Sequence, residues 1–371
     1  MTAKMDQSKK RIAMLANNDI TFVRYRGGVI AKLLEAGYDV NLTALSATPS
    51  DIEAGCFAPP PVPVGYLDTA LDKKRLFTIL KGIKEVSQWL GAKKPDVIFV
   101  QNAASILLLG LVHFIFRLKT PMIVLVEGLG RGFDRSTRPF WRLALGRASG
   151  VIFLNEDDPK QLRAAGVLKP GLAMFQVPGI GIDVAAFAPS EIPNGSPNVL
   201  MIARLIDTKH PLDFCKAAQI CKQNNVNATF TLIYECQRGE RSIPATALQK
   251  YAKDVTLIKG PVPVKPYLEA CSFLSMPSEK EGFPVTVMEA AASGRASLVS
   301  SDATLKGVVN SKTGWTFELG DVEDFAHRIT EILQNGSFRA KGKNTRAYAL
   351  THYNRAKMDM ALFEIIEQCR I

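Results

Sequence analysis

The sequence predicts an α/β protein made of two doubly wound domains, each a parallel sheet with helices on both faces. Three observations carry that expectation. Short apolar runs rich in β-branched residues alternate with helix-patterned segments from residue 11 to 154, and the alternation resumes from 198 to 334. A stretch rich in Pro, Gly, Ser and Asn at 189–197 separates the two series and reads as a linker. The pattern does not close on eight units, which with the linker argues against a single barrel. At about 150 residues per domain, a length of 371 residues also favours two.

Residues 11–15 (RIAML) form an apolar run after a polar start and predict the first strand. Residues 27–36 have helical spacing, and 37–43 (GYDVNLT) read as turn and strand. The continuous apolar runs 96–100 (DVIFV) and 122–126 (MIVLV) suit strands buried on both faces of a parallel sheet. A buried helix is expected over 105–118 and a strand over 151–154 (VIFL). Beyond the break, strands are expected at 198–202, 229–234, 255–259, 272–276 and 296–300. Helices are expected at 211–224, 264–270, 284–293 and 322–334, and a last helical segment at 358–367.

Composition narrows the function classes. Hydrophobic residues make up 47% and charged residues 22%, enough to bury real cores. No run reaches the roughly 18 apolar residues of a spanning helix; the nearest, 103–118, contains His113 and Arg117. The N-terminus has no apolar core behind its charges, so no secretory signal is expected. Six cysteines without CxxC spacing and four histidines disfavour zinc ribbons and disulfide scaffolds, and a reducing cytosol is expected. The net charge of +11 is concentrated: residues 71–147 hold 14 basic and 5 acidic residues. That suggests an anionic partner, whether membrane surface, phosphate-bearing substrate or nucleic acid; a solvated basic face is the alternative.

Two such domains are expected to face a central crevice, with ligands at the carboxyl ends of the strands. The loop after the strand at 272–276 is the most informative: PSEKEGFPVTVME, residues 277–289. Gly282 and Pro284 mark a tight turn, with Pro284 expected at the first helical position. Glu281 falls at the helix mouth and Glu289 two turns in, a spacing of eight that favours a similar face. The N–H groups of Phe283 and Val285 suit a phosphate. A glutamate there also fits plain stabilisation of the helix dipole. Arg204 and Lys209 follow the strand at 198–202 and can neutralise a diphosphate, Arg as a fork and Lys as a point charge. The chain has no G-x-x-x-x-G-K-[ST], no G-x-S-x-G and no D-x-D, and GLGRG at 128–132 is not G-x-G-x-x-G. Clustered metal ligands are missing, so no metal site is expected.

Four blocks resemble the retaining GT-B glycosyltransferases of family GT4: Glu281-Gly-Phe-Pro with Glu289 and the following AAASG; Ala203-Arg204-Leu205 with Lys209; PGIGID at 178–183 with Phe187; and VEGLG at 126–130 with VIFLN at 151–155. The resemblance runs over about residues 11–370, and its fourth block is characteristic of enzymes that build bacterial capsule, O-antigen and N-glycan precursors. It implies two Rossmann-like domains: 1–188 facing acceptor and membrane, 189–357 binding a nucleotide sugar, and 358–371 a C-terminal helix packing back on the first. It implies a metal-independent transfer of a hexose or N-acetylhexosamine, N-acetylgalactosamine first, from a UDP-sugar to a polyprenyl-diphosphate-linked saccharide, with no cofactor.

Residue by residue, the resemblance implies that Glu281 holds donor hydroxyls, with the backbone of Gly282, Phe283, Pro284 and Val285 near the sugar and β-phosphate. Glu289 is implied at the ribose, Arg204 and Lys209 at the diphosphate, and Lys259 with the nucleotide sugar. Glu127 is implied to face the donor sugar from the first domain. Gly27 and Gly28 open the helix after the first strand and are expected to let backbone approach the reacting centre, with Arg26 at the acceptor phosphates and Asn17 or Asn18 as weaker candidates. Two segments depart from the family: 301–308, where an acidic contact is missing, and 233–239, which replaces a Gly-rich turn.

The stretch 130–147 interleaves Arg131, Arg135, Arg138, Arg142 and Arg147 with Phe133, Phe140 and Trp141, a composition that suits an anionic bilayer interface. Lys73, Lys74, Arg75, Lys81, Lys84, Lys93 and Lys94 extend it. The expectation is a cytoplasmic protein, peripheral on the inner face of the bacterial membrane, with no nucleic-acid partner. Two alternatives stay open: a hydrolysing UDP-sugar epimerase of the same fold, and a non-catalytic basic protein binding membrane or RNA.

Overall fold

In the computed structural model, the apolar runs of the sequence form parallel strands in two units, Met1–Ile180 with Arg355–Ile371 and Gly181–Asn354. The residues described are 10–46, 59–69, 76–129, 133–177, 179–236, 241–279, 281, 284–301 and 309–370.

Unit 1 is built on β1 (Arg11–Ala16), β2 (Asp39–Ala44), β3 (Val64–Tyr66), β4 (Val97–Gln101), β5 (Met122–Val126), β6 (Gly150–Phe153) and β7 (Met174–Gln176). They lie parallel in the order β3-β2-β1-β4-β5-β6-β7. Ile12 of β1 stands opposite Val40 on one side and Val97 on the other. Every residue of β4 and β5 is buried, as continuous apolar runs require when helices cover both faces. The helices are α1 (Ile20–Tyr25), α2 (Gly27–Glu35), α3 (Leu76–Lys93), α4 (Ala103–Ile115), α5 (Arg138–Gly146) and α6 (Asp157–Ala164).

The segment at 105–118 forms the largely buried helix α4, with Ile106, Leu109 and Val112 in the core. Its end is different: Phe114, Ile115 and Phe116 are about half exposed. A Cβ at Gly110 would meet Ala144 Cβ at 2.5 Å, so glycine there lets α4 and α5 approach backbone to backbone. That contact corrects one expectation. Trp141 does not face a bilayer; it is fully buried, edge-on to Phe133 at 6.3 Å between centroids. In α5 Trp141 turns inward while Phe140 and Arg142 are exposed, a separation that composition does not reveal.

Unit 2 is built on β8 (Asn198–Leu205), β9 (Thr229–Cys236), β10 (Thr256–Lys259), β11 (Phe273–Met276), β12 (Ser297–Ser300) and β13 (Gly314–Phe317). They too are parallel, in the order β10-β9-β8-β11-β12-β13. Around them lie α7 (Pro211–Gln223), α8 (Lys265–Ala270), α9 (Val285–Ala292), α10 (Val322–Asn335) and α11 (Phe338–His352). Phe214, Phe230, Phe273 and Phe325 are fully buried, and Phe317 stacks on Phe325 at 4.1 Å. α10 has clear ends: the Asp321 side chain accepts the Asp324 N–H at 2.9 Å, and Gly336 closes it in the left-handed region.

The boundaries fall at 180/181 and 354/355 rather than at 188 and 357. Two features bring the extra residues into unit 2. Ile182 pairs with Asn354 in an isolated bridge. The buried Arg295 guanidinium donates to the carbonyls of Ser190, Glu269, Cys271 and Ser293 and to the Ser190 hydroxyl. The Pro- and Ser-rich segment is therefore bound to unit 2 at its start. The final helix, α12 (Arg355–Cys369), belongs to unit 1, where Glu367 pairs with Lys10 at 3.5 Å. Among the described residues no helix is long and apolar enough to cross a membrane.

Candidate functional site

In each sheet the strand order reverses beside the first strand of its series, at β1/β4 and at β8/β11. The loops leaving such a pair diverge and open a crevice at their carboxyl ends. The predicted polar residues gather at these two places.

In unit 1, β1 ends at Ala16 and β4 at Gln101, and their loops are laced together. The Asn17 N–H donates to Asn102 Oδ1 at 3.1 Å, and Asn17 Oδ1 accepts the Ser105 N–H at 2.9 Å and its hydroxyl at 2.6 Å. Asn102 has φ 67°, a left-handed conformation that costs a non-glycine residue on the order of 1–3 kcal/mol and persists only under external constraint. The constraint is its side chain, whose Nδ2 donates to Glu127 Oε2 at 2.5 Å. The other oxygen of Glu127 accepts Arg26 Nη2 at 2.6 Å. Arg26 Nε donates to Gln101 Oε1 at 2.7 Å and Nη1 to the Tyr25 carbonyl at 3.0 Å. Burial pushes the Glu127 carboxyl up, while Arg26 and Asn102 pull it back. Burial likewise pulls the Arg26 guanidinium down against the attraction of Glu127.

This geometry corrects the reading of Arg26. Its side chain is fully buried and all its nitrogens are bonded internally, so it offers no hydrogen bond to an acceptor phosphate here. Arg26 instead orients Glu127, whose side chain keeps 23% of its surface exposed. A Cβ at Gly27 would meet nothing within 4 Å, whereas the Cβ position at Gly28 is filled by the Asp359 carboxyl group. Arg135 and Arg142 are exposed, the latter donating from Nε to the Gly166 carbonyl at 2.9 Å. Arg138 lies 5.8 Å over the Phe133 ring. Arg131 lies outside the described residues.

In unit 2, Arg204 is near the end of β8 and exposed, and its side chain makes no hydrogen bond or ion pair among the described residues. A 3-10 turn, Asp207–Lys209, follows. The Glu279 N–H donates to the Thr208 carbonyl at 2.9 Å, tying the loop after β11 to that turn. The tie brings Lys209 and Glu281 into a direct ion pair, both largely buried. They form one ion pair, whereas the resemblance implies separate roles for them, Lys209 at the diphosphate and Glu281 at the donor hydroxyls. His210, at φ 50°, bonds Asp213 through Nδ1 at 2.8 Å, with Glu279 3.6 Å from its Nε2.

Helix α9 starts at Val285 with Pro284 as N-cap, one residue later than the predicted first position. Glu281 thus lies outside the helix, and helical periodicity does not relate it to Glu289, which is half-buried on α9. The first bonds of the helix run from Val287 and Met288 N–H to the Pro284 carbonyl, so Val285 and Thr286 present the leading N–H groups. Lys259 is exposed at the end of β10, two strands from β8. Gly282 and Phe283 lie outside the described residues. Of the departing segments, 233–236 continue β9 as strand rather than turn, and 237–239 and 302–308 lie outside the described residues. Ser301 donates its hydroxyl to Glu318 at 3.2 Å. Among the described residues no group of three or more His, Cys, Asp or Glu is placed to hold a metal ion.

Sequence reading missed Gln101, Asn102 and Asp359. A polar pair closing the apolar run VIFV was a usable signal for the first two; nothing local marks Asp359.

Twin parallel sheets, each with its polar cluster at the switch point, are the architecture of the GT-B fold. Residues 22–175 match the glycosyl transferase 4-like domain and residues 185–348 the glycosyl transferases group 1, and the chain belongs to this family. It is similar to the N,N'-diacetylbacillosaminyl-diphospho-undecaprenol alpha-1,3-N-acetylgalactosaminyltransferase of Campylobacter jejuni, at 26% identity over 255 residues, 62% of this chain and 65% of that one. It is also similar to the UDP-Gal:alpha-D-GlcNAc-diphosphoundecaprenol alpha-1,3-galactosyltransferase of Escherichia coli, at 24% over 200 residues, 48% of this chain and 50% of that one. The match spans less than two thirds of either relative's length. Among solved structures, sucrose-phosphate synthase from Thermosynechococcus elongatus shares the fold, with TM-score 0.79, 20% identity, and 97% of this chain and 99% of that one covered.

Removing one member of the Arg26–Glu127 pair strands a buried charge. Arg26→Ala is expected to cost about 3–5 kcal/mol, and an apolar double replacement, Arg26→Met with Glu127→Leu, to recover much of it. Urea unfolding checks this; an Arg26→Ala variant as stable as the parent would show that the pair is not a buried one.

Proposed function

We propose that this chain is a retaining glycosyltransferase that moves a hexose or N-acetylhexosamine from a UDP-sugar to a saccharide carried on a polyprenyl diphosphate. The observation that carries the reading is that both curated relatives are named for transfer to an undecaprenyl-diphosphate-linked sugar. N-acetylgalactosamine is the first choice of sugar, from the first of those names, and galactose the next.

The chemistry asked of the residues is modest. The bond from the anomeric carbon to the diphosphate breaks, and the acceptor hydroxyl oxygen bonds to that carbon on the same face. The hydroxyl proton passes to the departing phosphate oxygen. No carboxylate nucleophile is needed, so Glu281 and Glu127 are read as groups that hold and orient, with Glu289 at the ribose. The growing charge on the diphosphate falls to Arg204, to Lys209 and to the N–H groups at the start of α9. Metal independence is part of the proposal, since these cations and dipoles supply the field a metal would. Short-chain polyprenyl-diphosphate sugar, offered with a panel of UDP-sugars in EDTA, is expected to be extended. Free-sugar epimerisation in its place would assign the chain to hydrolysing epimerases, and inertness with and without divalent metal would remove the enzymatic reading.

Two substitutions locate the donor. Arg204→Ala is expected to raise the Kd for UDP about tenfold, roughly 1.4 kcal/mol, and an unaltered affinity would move the diphosphate elsewhere. Glu281→Gln is expected to lower kcat by about 10²-fold with a small change in melting temperature; retained turnover would take Glu281 out of the site.

A lipid-linked acceptor calls for peripheral binding at the inner membrane face, and we assign that to unit 1. Phe77 at 78% exposure and Leu80 at 55% project from α3 beside Lys81 and Lys84, and Phe140 and Arg135 are also exposed. Flotation is expected with anionic vesicles and not with neutral ones, and Phe77→Ser with Leu80→Ser to reduce it. Equal flotation with both vesicle types would refute an electrostatic membrane face.

A further inference from the structure

Gly28, at the head of α2, has a cause that the proposed reaction does not require. A Cβ on Gly28 would fall onto the carboxyl group of Asp359, 2.7 Å from its Cγ. Asp359 lies on α12, near the other end of the chain, and is 4% exposed. Its carboxylate accepts the backbone N–H of Val29, one of the N–H groups that the first turn of α2 leaves without an intrahelical partner. An anion at that end is also favoured by the helix dipole. Three cations face it: Arg355 on its own helix, Arg26 at the N-cap of α2, and Lys32 one turn further along α2. Burial outweighs their attraction and pushes its carboxyl up to about 6.

These contacts converge on one residue. Arg26 is the N-cap of α2, and its guanidinium stands under the influence of both Glu127 and Asp359. Glu127 fixes it from β5, and Asp359 holds the turn of helix that carries it. We propose that Asp359 is a positioning residue for the Arg26–Glu127 pair: by filling the space over Gly28 and capping Val29, it sets Arg26 at the head of α2 and thereby the place where the Glu127 carboxylate is held. Gly28 is a glycine because Asp359 occupies the position of its side chain, and the C-terminal helix is a structural part of the half-site in unit 1. The kinetic part of this inference rests on the glycosyl transfer proposed above; the geometric part does not.

Asp359→Asn keeps the shape and removes the charge, so it tests the idea with little change in packing. The Glu127 carboxyl resonance, followed by carbon-13 NMR at pH 7.5, is expected to shift in this variant. kcat is expected to fall about tenfold or more, as small misplacements of a catalytic group do, with KM for the UDP-sugar unchanged. An unmoved Glu127 resonance overturns the proposal, as does an unmoved kcat in an enzyme that transfers sugar. If the parent protein transfers nothing, the reaction assignment falls by itself and the resonance alone decides whether Asp359 positions Glu127. Should Asp359→Asn fail to fold, Gly28→Ala gives the answer: it is expected to lower the melting temperature in the parent and to be relieved by Asp359→Gly. Additive effects of those two substitutions would show that the residues do not share the space, and would overturn it.

Discussion

The contact on which unit 1 depends is the buried ion pair of Arg26 with Glu127. A guanidinium without access to water is tolerated when it is paired and hydrogen-bonded, and here Gln101, the Tyr25 carbonyl and Glu127 each take one of its nitrogens. Those partners come from three places: the α1–α2 junction, the end of β4 and the end of β5. Satisfying one cation therefore fixes the relative positions of three loops at the switch point. The strained Asn102 backbone follows from the same demand, because its amide is needed at the second oxygen of Glu127.

Unit 2 handles its charges in another way. Lys209 and Glu281 neutralise each other on two loops tied by the Thr208–Glu279 backbone bond, while Arg204 stays open to solvent. The first unit holds an anion at its carboxyl edge by two side-chain hydrogen bonds, and the second has an exposed cation at its own.

Much of the fold was legible. The runs VIFV at 97–100 and MIVLV at 122–126 are short and rich in β-branched residues, which suits strands covered on both faces, and both are wholly buried. The short edge strands β3 and β7, of three residues each, gave too little pattern to see. Helix α5 was visible only as composition: its arginines and aromatics looked like one surface, and only three-dimensional packing separates Trp141 from Arg142. The site was legible where loops carry motifs, as at Arg204, Lys209 and Glu281. It was illegible where a residue acts across the chain. Arg26 looked like a free cation because its partners lie 75 and 101 positions away, and no local pattern announces such pairing.

The return of α12 to unit 1 has a bearing on how the chain is made. Synthesis runs from the N-terminus, so residues 181–354 leave the ribosome before residues 355–369 exist. Until α12 is made the head of α2 lacks the Asp359 cap, whereas every residue of unit 2 is already present. During that interval the Gly28 hollow stands open, and the nascent chain carries an unfinished surface that α12 seals.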